Sequence, residues 1–313
     1  MSPLVETVSF VFGLVAFGYL AGWSGLLKVQ TGDALSEFAV TIAVPLLLFR
    51  TMAGAEFGDS LPWALWCTYF SAVAVAWVVG HFTIVRFFGR DARVGVVAGL
   101  STGFSNLVLL GIPFMLGVFG RRGFEVLSLI ISVHLPIMMG MSILLFALVG
   151  RKGGASLTIV REFLTRLFSN PLIIGILAGL LWRFTGLEMP SLGTRFVDAL
   201  ANVAGPVALF AMGLGLRKFG ISGDVRPAVV IAVLKLFLMP AVALAGALVI
   251  GLPVYSAQIA VAAAALPSGV NPYLIASRFG TGQALASNAM TIATALAVFT
   301  TAFWLSVLHW IYQ

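Results

Sequence analysis

STGFSNLVLLGIPFMLGVFG, residues 101–120, is apolar along most of its length yet is interrupted by Ser105, Asn106, Gly111 and Pro113. LPSGVNPYLIASRFG, residues 266–280, has the same make-up, with Pro267, Ser268, Gly269, Asn271 and Pro272, and the same Phe-Gly ending. A proline inside a helix removes a backbone hydrogen bond and frees carbonyls. Lipid cannot satisfy those groups, so such a break survives only inside protein or beside a polar cavity. Paired interruptions at corresponding places in the two halves of a chain point to a carrier's substrate site.

The composition agrees with a membrane setting. The 313 residues are 60% hydrophobic and 9% charged, where a soluble domain carries about 25% charged residues. A net charge of +7 raises nucleic acid as a partner. The basic residues fall in short loops between apolar runs, where membrane topology places them, so no nucleic-acid partner is expected. The lone Cys67 excludes an intrachain disulfide framework. Glu6, with no Lys or Arg before the first apolar run, makes that run a first spanning helix rather than a removed signal.

A helix needs about 20 apolar residues to cross the hydrocarbon layer. Ten spans are expected, near 4–21, 34–53, 62–86, 94–118, 124–149, 170–185, 194–215, 227–250, 257–277 and 283–308. With the N-terminus outside, the cytoplasmic loops hold twelve Lys and Arg residues and the opposite side holds five. That bias places both termini outside the cytoplasm, in a multi-pass protein of the cytoplasmic (inner) membrane. Trp23, Trp63, Trp182, Trp304 and Trp310 fall near span ends and read as an aromatic belt facing lipid headgroups.

The two halves match. Glu37 precedes Pro45 by eight residues, and Asp198 precedes Pro206 by eight. Pro45 to Pro206 is an offset of 161, and Pro113 to Pro272 an offset of 159. The expected fold is all-α, with residues 1–150 and 166–313 as two five-helix repeats. Five is odd, so the repeats are inverted, with broken crossover helices in spans four and nine and a site near the midplane.

FSNLVLLGIPFMLGVFG in span four, ALPSGVNPYLIASRFG in span nine and Lys235-Leu-Phe-Leu-Met-Pro240 in span eight resemble the signatures of the auxin efflux carrier family. The resemblance covers essentially the whole chain and is strongest to bacterial members, which lack the large central loop of the plant carriers. It implies a fold related to that of bile acid:sodium symporter-like transporters. It implies secondary transport of organic anions, including malate, malonate and, in plants, indole-3-acetate. It also implies a scaffold of spans one, two, six and seven that often dimerises, and a mobile transport unit of spans three to five and eight to ten, with elevator-like alternating access.

Several residues could carry the chemistry. Asn106 could hydrogen-bond a carboxylate without a permanent ion pair, at a break whose free N–H groups favour an anion; in the family the matching Asn contacts substrate. Ser105 shares that place, and Asn271 and Ser268 are their partners in the second repeat. Each could instead satisfy freed backbone groups. Pro113, Pro267 and Pro272 are expected to break the helices. Lys235, about nine residues into span eight, could neutralise a substrate anion, pin the crossovers in place of a bound cation, or snorkel to an interface. His134, mid-span, could take up a proton or merely bond a neighbouring helix. Glu37 and Asp198 could bind a coupling ion, or cap the first turns of their helices.

Neither crossover contains an acid, which weighs against sodium coupling and leaves uniport or proton coupling open. A sodium- or proton-coupled carrier of another solute is the alternative. An intramembrane enzyme is remote, because no His-Glu-x-x-His, Gly-x-Gly-Asp or Asp-rich motif is present. No cofactor or metal is expected; the expected partners are a small organic anion, membrane lipid and a second copy of the chain.

Overall fold

A computed structural model of the chain describes residues 3–55, 62–149, 165, 169–218, 221, 223 and 225–312. Among them every regular element is helical. In chain order these are α1 (Pro3–Trp23), α2 (Val29–Phe38), α3 (Val44–Ala53), α4 (Trp63–Phe87), α5 (Ala92–Gly103), α6 (Ile112–Val149), α7 (Pro171–Thr185), α8 (Ser191–Asn202), α9 (Ala204–Leu216), α10 (Val225–Val233), α11 (Met239–Ile250), α12 (Val254–Ala265), α13 (Asn271–Phe279) and α14 (Gln283–Ile311).

Seven helical runs among the described residues are long and apolar enough to cross a membrane. One, Ala92–Val149, holds 58 residues; at ~1.5 Å per residue, that is roughly three times the thickness of the hydrocarbon layer. It is non-helical at residues 104–106 and again at Gly120, where φ is 65° and ψ is −163°, so it supplies two crossings. Two shorter apolar helices, Pro171–Thr185 and Val254–Ala265, bring the number to the ten expected. The chain is an all-α, multi-pass membrane protein.

Local chemistry sets the helix ends. Asp91 caps α5 by accepting from the Arg93 and Val94 N–H groups at 2.8 and 2.9 Å. Asn170 caps α7 through the Leu172 N–H at 2.9 Å, with Pro171 as its first residue. Three π turns, Ala39–Ala43, Leu107–Gly111 and Leu234–Leu238, each end two residues before a proline: Pro45, Pro113 and Pro240. A proline ring clashes with the carbonyl four residues earlier and offers no N–H to it. Widening the turn by one residue relieves that clash and releases the carbonyl. The carbonyl released by Pro240 belongs to Leu236, and Trp304 Nε1 donates to it at 2.8 Å. Trp304 is buried, 7% exposed. It serves this backbone and is not part of an aromatic belt, whereas Trp23, Trp63 and Trp310 are exposed.

Residue contacts divide the chain into two compact units. The first gathers the described residues of Met1–Leu61, Val108–Val133 and Leu157–Lys218. In it α1 packs on α9, and α3 on α7 and α8. Arg50 Nη1 joins α3 to α8 by donating to Asp198 Oδ1 and Asn202 Oδ1, both at 2.8 Å. Small residues allow membrane helices to approach closely, and at Gly213 of α9 a side-chain carbon would strike the Val15 carbonyl of α1. Gly213→Ala is therefore expected to push α1 from α9 and cost about 1–3 kcal/mol. Thermal unfolding in detergent checks this: a drop of several degrees is expected, and an unchanged transition would contradict the close α1–α9 contact.

The second unit gathers the described residues of Pro62–Leu107, His134–Ser156 and Phe219–Gln313. In it α4 packs on α5, α11 and α12, and α14 on α10 and α12. Ile84, Ala98, Ala228, Ile231, Leu285 and Ala289 form a buried cluster among α4, α5, α10 and α14. The candidate site lies wholly within this unit.

Candidate functional site

Two broken spans meet in the second unit. The chain leaves α5 at Gly103, is non-helical at residues 104–106, and re-enters a helix at Leu107. It leaves α12 at Ala265 and resumes as α13 at Asn271, with residues 266–270 non-helical. The breaks touch: the Asn106 N–H donates to the Pro267 carbonyl at 2.9 Å. Arg93 adds a tie at the far end of α5, where its Nη2 donates to the Phe279 carbonyl at the end of α13, 2.7 Å away.

The breaks do not fall at Pro113 and Pro272. Pro272 is the second residue of α13, and Pro113 follows the Leu107–Gly111 π turn as the second residue of α6. Proline lacks only an N–H that the first helical turn leaves unpaired, so it starts helices readily. Pro113 widens a turn and Pro272 opens a helix; only Pro267 lies inside a break.

Lys235 lies in the π turn Leu234–Leu238 and is completely buried; it does not snorkel. Its Nζ donates to Ser105 Oγ at 2.7 Å and to the Ala264 carbonyl at 2.8 Å, and meets Met239 Sδ at 2.8 Å. Ser105 and the Ala264 carbonyl stand at the C-terminal ends of α5 and α12, where helix carbonyls carry partial negative charge. One amino group thus joins two half-helix ends, and among the described residues none of its hydrogen-bond partners is a carboxylate. The opposite polarity is offered by α13, which starts at Asn271 without a side-chain cap; its first N–H groups suit an anion.

Asn106 and Ser268 are buried, at 7% and 1% exposure, while Asn271 is half-buried. Gly269 abuts Asn106 directly: a side-chain carbon there would lie 3.4 Å from Asn106 Cβ and Cγ and 3.5 Å from Phe104 Cε1. Those are ordinary contacts, so the fold tolerates a methyl group, but the methyl would cover one side of the Asn106 carboxamide. Gly269→Ala is expected to leave the melting temperature within about 2 °C while weakening substrate binding roughly tenfold, one tenfold being about 1.4 kcal/mol. Titration of the purified variant checks it; wild-type affinity would place substrate away from this face.

His134 packs against Phe104, with ring centroids 4.7 Å apart, and is enclosed further by Tyr69 at 5.7 Å and Phe70 at 6.3 Å. Neither its Nδ1 nor its Nε2 has a hydrogen-bond partner among the described residues. The bonding neighbour considered from the sequence is therefore not found. The Tyr69 hydroxyl, also buried, faces Ser105 without completing a hydrogen bond.

The acids are elsewhere. Asp198 belongs to the first unit and is taken by Arg50. Because α8 starts at Ser191, Asp198 is not in a first turn; nor is exposed Glu37, because α2 starts at Val29. Neither caps a helix, and both belong to the first unit, whereas the two breaks belong to the second. Tyr69 was missed from the sequence, and Gly269 and Met239, though part of the span-nine and span-eight motifs, were given no role from it. A tyrosine near the start of α4 and a glycine between two prolines carry only weak signals, whereas Met239 carries none.

Residues 3–305 match the family described as "Membrane transport protein". The chain belongs to this family. The family is one of membrane transporters rather than enzymes, and three similar proteins are named as transporters or carriers. A Rhizobium meliloti (strain 1021) protein named "Putative malonate transporter" is 27% identical, covering 96% of this chain and 94% of its own length. "Auxin efflux carrier component 8" of Arabidopsis thaliana is 21% identical, with 94% and 93% covered. An "Uncharacterized transporter" of Methanothermobacter thermautotrophicus is 23% identical, with 97% and 98% covered.

Proposed function

We propose that this membrane transport protein is a secondary carrier of a small organic anion, of the mono- or dicarboxylate class, in the cytoplasmic membrane with both termini outside. The observation that carries this reading is the meeting of two broken spans through Asn106 and Pro267, with the amino group of Lys235 buried beside them and no acid in the sequence of either break. Asn106 and Asn271 contact the carboxylate, Ser105 and Ser268 support them, and Lys235 sets the positive field. The relative named for malonate favours a short dicarboxylate.

Helix pairing supports an inverted repeat of 1–150 and 166–313. Exchanging span one with six, and two with seven, turns the α1–α9 pair into the α7–α3 pair, and both pairs occur. The same exchange, three with eight and four with nine, relates α4–α5 to α11–α12. Spans one, two, six and seven then serve as the scaffold, self-associating as a homodimer, and spans three to five and eight to ten carry substrate in an elevator-like cycle.

Thermal-shift screening of the purified protein against mono- and dicarboxylates, with and without sodium, tests the reading. A ligand at 100 times its dissociation constant adds about 2.7 kcal/mol of stability, a shift of several degrees. Stabilisation by carboxylates without sodium is expected. A response to neutral or cationic solutes alone would overturn the anion assignment, and a strict sodium requirement would overturn the role given to Lys235.

A further inference from the structure

We propose that His134 is a proton-binding site linked to the anion site, so that this carrier takes up a proton together with its substrate. The inference rests on the carrier reading above. His134 is 3% exposed within a cage of Tyr69, Phe70 and Phe104, and both ring nitrogens lack a partner among the described residues. A neutral imidazole needs one donor and one acceptor partner, and an imidazolium needs two acceptors. Buried polar atoms are seldom left unpaired, and those that are need an explanation.

The surroundings supply one. Phe104 packs on His134, with ring centroids 4.7 Å apart, and also borders the space beside Gly269 and Asn106. The Tyr69 ring packs on His134 and its unpaired hydroxyl faces Ser105, whose Oγ accepts from Lys235 at 2.7 Å. The titratable groups facing His134 are thus Tyr69 from α4 and Lys235 from the π turn between α10 and α11; Phe70 and Phe104 bring no charge. A buried ammonium opposes a second positive charge nearby. A carboxylate arriving at the crossover cancels that field, so anion binding favours protonation of His134. By linkage, a proton on His134 favours the anion by the same factor. The proton comes from the solution on the side where substrate enters and leaves with it on the other side.

Calorimetric titration of the purified full-length protein with malonate, between pH 6 and 8 and in buffers of different ionisation enthalpy, counts the protons taken up. The wild type is expected to absorb up to one proton per malonate, its affinity rising by up to about tenfold per pH unit on acidification. His134→Gln is expected to bind malonate with no proton uptake and a flat pH profile. An unchanged proton count and profile in His134→Gln would overturn the proposal. Should that variant not fold, the wild type decides: malonate binding without proton uptake across this range overturns it too. Failure of the wild type to bind malonate or any other carboxylate at any pH removes the carrier reading itself, and this proposal with it.

Discussion

Lys235→Met is expected to abolish carboxylate uptake while leaving a folded protein in the membrane. Its Nζ is the point at which Ser105, at the end of the first half-helix, and the Ala264 carbonyl, at the end of the second, are held together. Hydrogen bonds to a charged group are worth about 1.5–3 kcal/mol, and at about 1.4 kcal/mol per tenfold the loss of two puts uptake down by roughly 100-fold or more. Stability responds less. Removing a buried charge also removes its desolvation cost, and replacing such charges by apolar residues of similar volume is often close to neutral. Lys235→Arg is not expected to rescue, because a planar guanidinium does not fit a site shaped for a compact ammonium that is completely buried. Uptake in proteoliposomes, with size-exclusion profiles as the folding control, measures the effect. Uptake by Lys235→Met within twofold of wild type would remove Lys235 from the transport cycle.

Asn106→Ala carries the second large effect. The link between the two breaks runs through the Asn106 backbone N–H, which the substitution keeps, so the crossover is expected to stay assembled. What is lost is the carboxamide beside Gly269 and Phe104. A carboxylate that loses a hydrogen bond in a buried site loses about 1.5–3 kcal/mol, so the dissociation constant is expected to rise about 10- to 150-fold. Titration with malonate and a monocarboxylate checks this. Unchanged affinity in a folded variant would leave Asn106 with a backbone-satisfying role only.

The broken spans were legible in the sequence because their polar residues stand out against apolar runs. Ser105, Asn106, Ser268 and Asn271 were found that way, and the structure places them at or beside the two breaks. The position of the breaks was not legible. Pro113 and Pro272 mark where helices start or widen, since a missing N–H is harmless in a first turn; the chain had already left the helix ten residues before Pro113, at Gly103. The link from each π turn to its proline is written in the sequence, but the partner of the freed carbonyl is not: Trp304 lies 68 residues from Leu236. Lys235 was singled out by its cost in an apolar span, yet snorkelling and pairing could be separated only by seeing Ser105 and Ala264 around it. Glu37 and Asp198 show the opposite failure. Each precedes a proline by eight residues, but their helices begin earlier than the apolar runs suggested, and Arg50 claims Asp198 from a distant span.

Uptake of labelled malonate into proteoliposomes containing the wild-type protein tests the carrier reading most directly. The expected result is saturable uptake above protein-free vesicles, competed by other short carboxylates and not by malonamide, the neutral analogue. Absence of saturable uptake for malonate and for every competing carboxylate, or equal competition by malonamide, would contradict an organic-anion carrier built on the Asn106–Lys235 crossover.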